Sequence, residues 1–202
     1  MWRFLVTMPL MAKRSSRGQA GTLRIIGGRW RGRRFPCAPG NVTRPTGDRI
    51  RETVFNWLAP IIDGARCLDL FAGTGALGLE ALSRGAKEAL FVEQEACAAR
   101  RIETTLRELE CFDTDVIAGD ALQFLAGTPR TFDIVFLDPP FGVIDMENLC
   151  TLLDKGWLAR DSTIYIEMRR GDAMPQLPPG WTLTRDKTAG QVRFMLARRV
   201  GD

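Results

Sequence analysis

Between Ala65 and Ile166 the chain alternates short apolar runs with amphipathic segments, and this rhythm constrains the fold more than any other feature. Apolar runs at residues 67–71, 89–92, 116–118, 134–137 and 163–166 predict five strands. Segments with helical character fall in the gaps, at 77–83, 95–109, 121–125 and 146–153. Strands that return every 20 to 30 residues with a helix in each gap join through right-handed crossovers. The expected architecture is therefore α/β, a parallel, doubly wound sheet whose ligand site lies beyond the carboxyl ends of the strands. The end of the chain departs from the pattern. Residues 181–184 and 192–197 read as two strands separated by a polar turn containing Gly190, too short for a helix. An antiparallel hairpin at one sheet edge accommodates them.

With 202 residues, 45% hydrophobic and 26% charged, the chain has the make-up of one globular domain, or at most two small ones. It contains no histidine. That count excludes Ser-His-Asp and Cys-His nucleophile pairs, imidazole general bases and His-ligated metals. The five cysteines, Cys37, Cys67, Cys97, Cys111 and Cys150, include no C-x-x-C pair. They read as reduced, mostly buried thiols rather than a disulfide framework or a zinc ribbon, and no metal site is expected.

Charge is distributed unevenly. Residues 1–47 carry ten Lys or Arg and no acid, whereas residues 48–202 carry eighteen against twenty-four Asp or Glu, a net −6. A basic arm on a mildly acidic body points to a polyanionic partner, above all nucleic acid. The apolar run at residues 4–12 is interrupted by Pro9 and is too short to span a bilayer. The expected organisation is a disordered extension over 1–21, a basic hairpin and helix over 22–60, and the main α/β domain over 61–202, in a cytoplasmic protein without membrane contact. Leu23, Ile25 and Ile26 have strand character, and Gly27-Gly28 reads as the hairpin turn. Pro36, Pro39, Gly40 and Asn41 predict a loop. Thr46-Gly47-Asp48 then starts a helix whose apolar face carries Ile50, Val54, Phe55, Trp57 and Leu58 before Pro60 stops it.

Two constellations carry chemistry. The first is D-L-F-A-G-T-G-A-L-G at residues 69–78, a glycine loop directly after the first strand of the alternating region. Gly73 and Gly75 let the backbone turn tightly and approach a ligand. Twenty residues after Gly73, Glu93 closes the next strand, where an acid can hold both hydroxyls of an adenosine ribose. Asp120 follows the third strand, placed to accept from an adenine amino group. Phe71, Gln94 and Ala121 beside these acids complete the candidate cofactor set, together with Thr46. The glycine spacing also fits a dinucleotide loop, but Asp69 at the strand end would repel a pyrophosphate and suits a cation such as the α-ammonium of a methionine moiety. No P-loop lysine follows the glycines. The second constellation is Asp138-Pro139-Pro140-Phe141 at the end of the fourth strand. Two prolines stiffen the loop and leave carbonyls free to accept, Asp138 adds an acceptor, and Phe141 offers a stacking face. This set suits a planar group with an exocyclic amine.

The combination D-L-F-A-G-T-G and D-P-P-F resembles the S-adenosylmethionine-dependent methyltransferases that modify exocyclic amines of nucleobases. The wider pattern runs L-R-I-I-G-G-R-W-R-G-R-R-F, R-P-T-G-D-R-I-R-E-T-V-F-N-W-L, G-A-L-G-L-E-A-L-S-R-G-A and A-G-Q-V-R-F. It resembles the bacterial small-subunit ribosomal RNA guanine-N2 methyltransferases of the RsmD type, over residues 22–198. The resemblance implies a class I, Rossmann-like methyltransferase fold, S-adenosyl-L-methionine as cofactor and 16S ribosomal RNA as partner, in an assembled or assembling small subunit. It further implies that Asp69, Gly73 and Gly75 cradle the methionine part, Glu93 the ribose and Asp120 the adenine, while Asp138, Pro139, Pro140 and Phe141 hold the guanine. Arg24, Arg29, Arg31, Arg33, Arg34, Arg44 and Arg49 would face RNA. Two alternatives stand beside this reading: an adenine-N6 methyltransferase of the same fold, and a non-catalytic RNA-binding protein with a vestigial cofactor site.

Overall fold

The computed structural model describes residues 21–37, 45–112 and 114–201, with the side chains of Pro45 and Thr46 left aside. Residues 1–20 of the expected disordered extension over 1–21, residues 39–41 of the expected loop and Arg44 lie outside that range. The main sheet has seven strands: β3 (Arg66–Asp69), β4 (Glu88–Glu93), β5 (Asp115–Ala118), β6 (Phe132–Leu137), β7 (Leu158–Arg169), β8 (Trp181–Ala189) and β9 (Val192–Val200). Their order is β5-β4-β3-β6-β7-β9-β8. Strands β5 through β7 are parallel, and β9 pairs antiparallel with both β7 and β8. The Rossmann-like sheet with its antiparallel C-terminal hairpin is the architecture that the alternation predicts. The hairpin strands and β7 run longer than their apolar cores, because the β7–β9 and β8–β9 ladders continue through the flanking polar residues.

Successive residues of β4 show why the sheet is a middle layer. Phe91 packs into one hydrophobic cluster, and Leu90 and Val92 into another on the opposite face. Helices α1 (Pro45–Leu58), α2 (Ala76–Ser83) and α3 (Ala96–Glu108) cover the first face, and α4 (Ala121–Leu125) and α5 (Met146–Leu153) the second. On α1, Ile50, Val54, Phe55 and Leu58 are buried, as the helical spacing requires, and Trp57 stacks on Phe194 with centroids 5.4 Å apart.

The N-terminal segment forms a two-stranded sheet of β1 (Thr22–Arg24) and β2 (Arg34–Pro36). Gly27-Gly28 is not its turn. The connection spans residues 25–33 and contains a 3₁₀ turn at Gly28–Trp30. Gly28, at φ 73°, serves docking instead: a Cβ there would lie 1.8 Å from the carbonyl oxygen of Ser83. The hairpin has no core of its own. Leu23, Ile25, Trp30 and Phe35 join the cluster beneath α1 and α2.

What locks it down is Glu80 on α2, fully buried and surrounded by donors. Its carboxylate accepts from the Ile26 and Gly27 amides, each at 2.8 Å, and from Arg84 Nε at 2.8 Å. Arg51 Nε stands 3.7 Å away, and Arg51 Nη2 donates to the Arg24 carbonyl at 2.6 Å. Ser83, one turn on, accepts from the Trp30 amide and donates to the Gly27 carbonyl. Glu80→Ala strips two backbone amides and Arg84 Nε of their acceptor and removes the charge beside Arg51. It should cost about 3–5 kcal/mol, read from denaturant midpoints, and should accelerate hydrogen exchange at the Ile26 and Gly27 amides first.

Candidate active site

The sheet order reverses between β3 and β6, and a crevice opens there beyond the strand ends. The loops after β3, β4, β5 and β6 line a cleft of ≈ 260 Å³. Six candidate cofactor residues border it: Phe71, Gly73, Glu93, Gln94, Asp120 and Ala121. Asp138 and Pro140 close it from the β6 side, and Val143 and Ile144, which the sequence patterns do not single out, add apolar wall. Three carboxylates face this space, and no lysine or arginine among the described residues lines it. Such a cleft fits a cationic, hydroxyl-bearing ligand and disfavours a pyrophosphate.

Local bonds hold each piece. Gly75 sits at φ 77° as the residue preceding α2, a left-handed conformation that a side chain would strain. Glu93 braces the glycine loop, with Oε2 accepting from the Gly73 amide at 2.6 Å and Oε1 from the Glu95 amide at 2.7 Å. Each oxygen retains a further lone pair for a ligand hydroxyl. Asp120 caps α4 by accepting from the Gln123 amide at 2.9 Å, with its other oxygen left over.

Asp69 differs from the sequence reading. It is buried beneath the loop, not exposed in the cleft, and its Oδ2 accepts from the Gly78 amide at 2.9 Å. Its contribution here is to hold the start of α2 against β3; direct contact with an ammonium group is not what this geometry provides. Gly75 likewise shapes the loop without lining the cleft. Thr46 is described only as part of the α1 backbone.

Asp138 occupies the junction between compartments. On one side it borders the cofactor cleft. On the other it borders a second cavity of ≈ 150 Å³ with Asp48, Arg51, Tyr165 and Glu167. Its carboxylate has no hydrogen-bond partner among the described residues. Burial raises its pKa well above the usual carboxylate range, and the charges of Glu167 and Asp69 add to the rise. Phe141 with Pro139 and Pro140 borders a third cavity, ≈ 280 Å³, whose far wall includes Glu167, Met168 and Met174. The D-P-P-F loop thus separates the cofactor cleft from two spaces that meet at Glu167.

The basic residues divide. Arg24, Arg31 and Arg49 line one depression with Arg84, and Asp48 is common to that depression and the cavity beside Asp138. Arg29 and Arg33 turn toward the end of α3: Arg29 lies 4.0 Å over the Trp30 ring with Nη2 3.8 Å from Cys111 Sγ, and Arg33 donates to the Glu108 carbonyl at 3.2 Å. Arg34 is exposed on β2. Of the cysteines, Cys37, Cys67 and Cys150 are buried, Cys111 is half-buried and Cys97 is exposed. Among the described residues no helix is long and apolar enough to cross a membrane.

The buried Asp69 has a consequence for stability. Burial pushes its pKa up to about 7 from 3.8, partly opposed by the Gly78 amide. A carboxyl with a raised folded pKa binds more protons folded than unfolded, so its effect is a loss of stability as pH rises from about 4 to about 7. Asp69→Asn keeps an acceptor for Gly78 and removes the titration. Between pH 4 and pH 8 the variant should lose less stability than the native chain, by up to about 4 kcal/mol, measured by denaturant unfolding without ligand.

The chain matches the family model described as conserved hypothetical protein 95 over residues 23–198. It is 46% identical to the ribosomal RNA small subunit methyltransferase D of Escherichia coli strain K12, over 93% of this chain and 95% of that protein. Its identity to the protein of the same name from Haemophilus influenzae is 42%, covering 92% and 98%. A solved structure of the yhhF protein of Escherichia coli superposes with a TM-score of 0.85 at 43% identity, over 90% of this chain and 100% of that one. The chain belongs to the RsmD family of ribosomal RNA small subunit methyltransferases.

Proposed function

We propose that the chain transfers a methyl group from S-adenosylmethionine to the exocyclic N2 of a guanine in 16S ribosomal RNA, within the assembled or assembling small subunit in the cytoplasm. The observation that carries this reading is the cleft of three carboxylates, with no basic side chain among the described residues that line it, joined through Asp138 to the cavity beside Glu167 and through Pro140 and Ile144 to the space in front of Phe141. Glu93 would hold the ribose hydroxyls, Asp120 the adenine amine, and the Phe71–Gly75 loop the methionine part. When bound, S-adenosylmethionine supplies the electrophilic methyl group.

The protein's task is to prepare the amine. Guanine N2 is a weak nucleophile because its lone pair is delocalised into the ring. Asp138, lacking an internal partner, accepts one N–H of the amine, and the Pro139 carbonyl accepts the other. Together they turn the lone pair out of the ring plane toward the cofactor cleft. Phe141 stacks on the base, and the closed surroundings exclude water. Positioning and desolvation are the main sources of acceleration. Arg24, Arg31 and Arg49 meet the phosphates that lead into the cavity beside Asp138.

Incubating unmodified 30S subunits and naked 16S RNA with labelled S-adenosylmethionine, followed by nucleoside analysis, tests the reading directly. N2-methylguanosine is the expected product; N6-methyladenosine, or no transfer, would overturn it. Asp138→Ala should slow single-turnover transfer by about 10²–10⁴-fold while S-adenosylmethionine affinity stays within a few fold. Asp138→Asn should retain part of the activity if accepting the N–H is the main role. Replacing Arg24, Arg31 and Arg49 together should lower the slope of log K against log salt for RNA by about 0.7–0.9 per lost phosphate contact, leaving cofactor affinity intact.

A further inference from the structure

Glu167 is a half-buried carboxylate beside Asp138 that the mechanism above leaves unused. The sheet places it there: β6 and β7 run parallel with Leu137 opposite Ile166, so Asp138 and Glu167, each the next residue, emerge side by side from neighbouring strands. Both border the cavity that also holds Tyr165. Glu167 additionally borders the space in front of Phe141, which Asp138 does not. The Tyr165 hydroxyl donates to Glu167 Oε2 at 2.5 Å and fixes the side chain, while Oε1 makes no hydrogen bond to any described residue. The site therefore presents two neighbouring acceptors, Asp138 and Glu167 Oε1, at the cavity they share. Burial and mutual repulsion raise the Asp138 pKa, and burial that of Glu167, so the pair is a costly arrangement while it has no donors opposite. Among the described residues no group of His, Cys, Asp or Glu is arranged to hold a metal ion, so the partners suited to these oxygens are N–H or O–H donors.

Nucleobase edges differ in what they offer such a pair. Guanine presents N1–H and the N2 amine as adjacent donors. Adenine presents its N6 amine beside N1, an acceptor, and cytosine its N4 amine beside N3, also an acceptor. One carboxylate alone reads an amine without distinguishing these bases; two in a row demand two donors. A mismatched base would set a ring lone pair against the Glu167 carboxylate, so that one of the two must take up a proton or stay unpaired and desolvated. We propose that Glu167, held by Tyr165, is a specificity-determining residue that accepts the N1–H of the target guanine while Asp138 engages the N2 amine. This rests on the guanine-N2 reading above.

The test compares two bases that share the amine and differ at N1. The guanine found methylated by nucleoside mapping is replaced by 2-aminopurine, which keeps the 2-amine but has an acceptor at N1, in reconstituted 30S subunits. The native enzyme should prefer guanine in kcat/KM. That preference should fall about 10- to 100-fold in Glu167→Ala, the loss expected for a hydrogen bond to a charged group, and by a smaller factor in Tyr165→Phe, where Glu167 remains but is no longer fixed. The missing O6 of 2-aminopurine is common to all variants and cancels in the ratio. Glu167→Gln, which keeps a carbonyl and the side-chain volume, should hold the preference between these limits and guards against a folding defect in the alanine variant. A guanine preference unchanged in all three variants, with N2-methylguanosine still the product, overturns the proposal alone. A native product other than N2-methylguanosine overturns the guanine-N2 reading and this proposal with it.

Discussion

A single buried carboxylate joins the two parts of this molecule. Glu80 has no exposure, yet it accepts from two hairpin amides and one arginine and lies beside another. Without these partners an ionised carboxylate at that depth would be untenable, and without the carboxylate the two amides and Arg84 Nε would be orphaned. The arrangement also explains why α2 is buried nearly all round: the sheet covers one side, and the hairpin with α1 covers the other. Helix α2 begins at the glycine loop, so the contact that seats the hairpin also steadies the floor of the cofactor cleft from behind.

The cleft is built by a succession of carboxylates that serve the backbone first. Asp69 holds the Gly78 amide, Glu93 holds Gly73 and Glu95, and Asp120 caps α4. Asp138 is the exception, with no hydrogen-bond partner among the described residues. The contrast separates carboxylates already occupied by backbone amides from one that is open to a partner. Asp138 lines both the strand-end cleft and the cavity shared with Glu167.

The basic N-terminal segment divides its charges between two surfaces, which its sequence alone presents as one run. Arg24 and Arg31 join Arg49 of α1 in a depression that reaches the active-site cavity through Asp48. Arg29 and Arg33 are committed to Trp30, Cys111 and the end of α3. Docking of the hairpin, not its charge count, decides which arginines stand along the approach to Asp138.

By itself the sequence determined the strand–helix alternation, the reversal into a C-terminal hairpin, and the acids and glycines at the strand ends. These were legible because each depends on neighbours along the chain: an apolar run sets a strand, and the residue after it falls at the sheet's carboxyl edge. Glu93, Asp120 and Asp138 are of this kind. Only the tertiary structure decided the rest. Gly27-Gly28 reads locally as a turn, yet Gly28 is there for close approach to Ser83. Asp69 shares the strand-end position of the other acids, but the first turn of α2 folds back over it and buries it. Glu80 looks like an ordinary helix-surface acid until the hairpin covers it. Glu167 follows an apolar strand as any edge residue would, and becomes a neighbour of Asp138 because β7 pairs with β6 in parallel register. Periodicity records how a segment meets its own local surroundings. Which distant segment arrives on its other side is set by sheet order and docking, and no pattern within the segment encodes that.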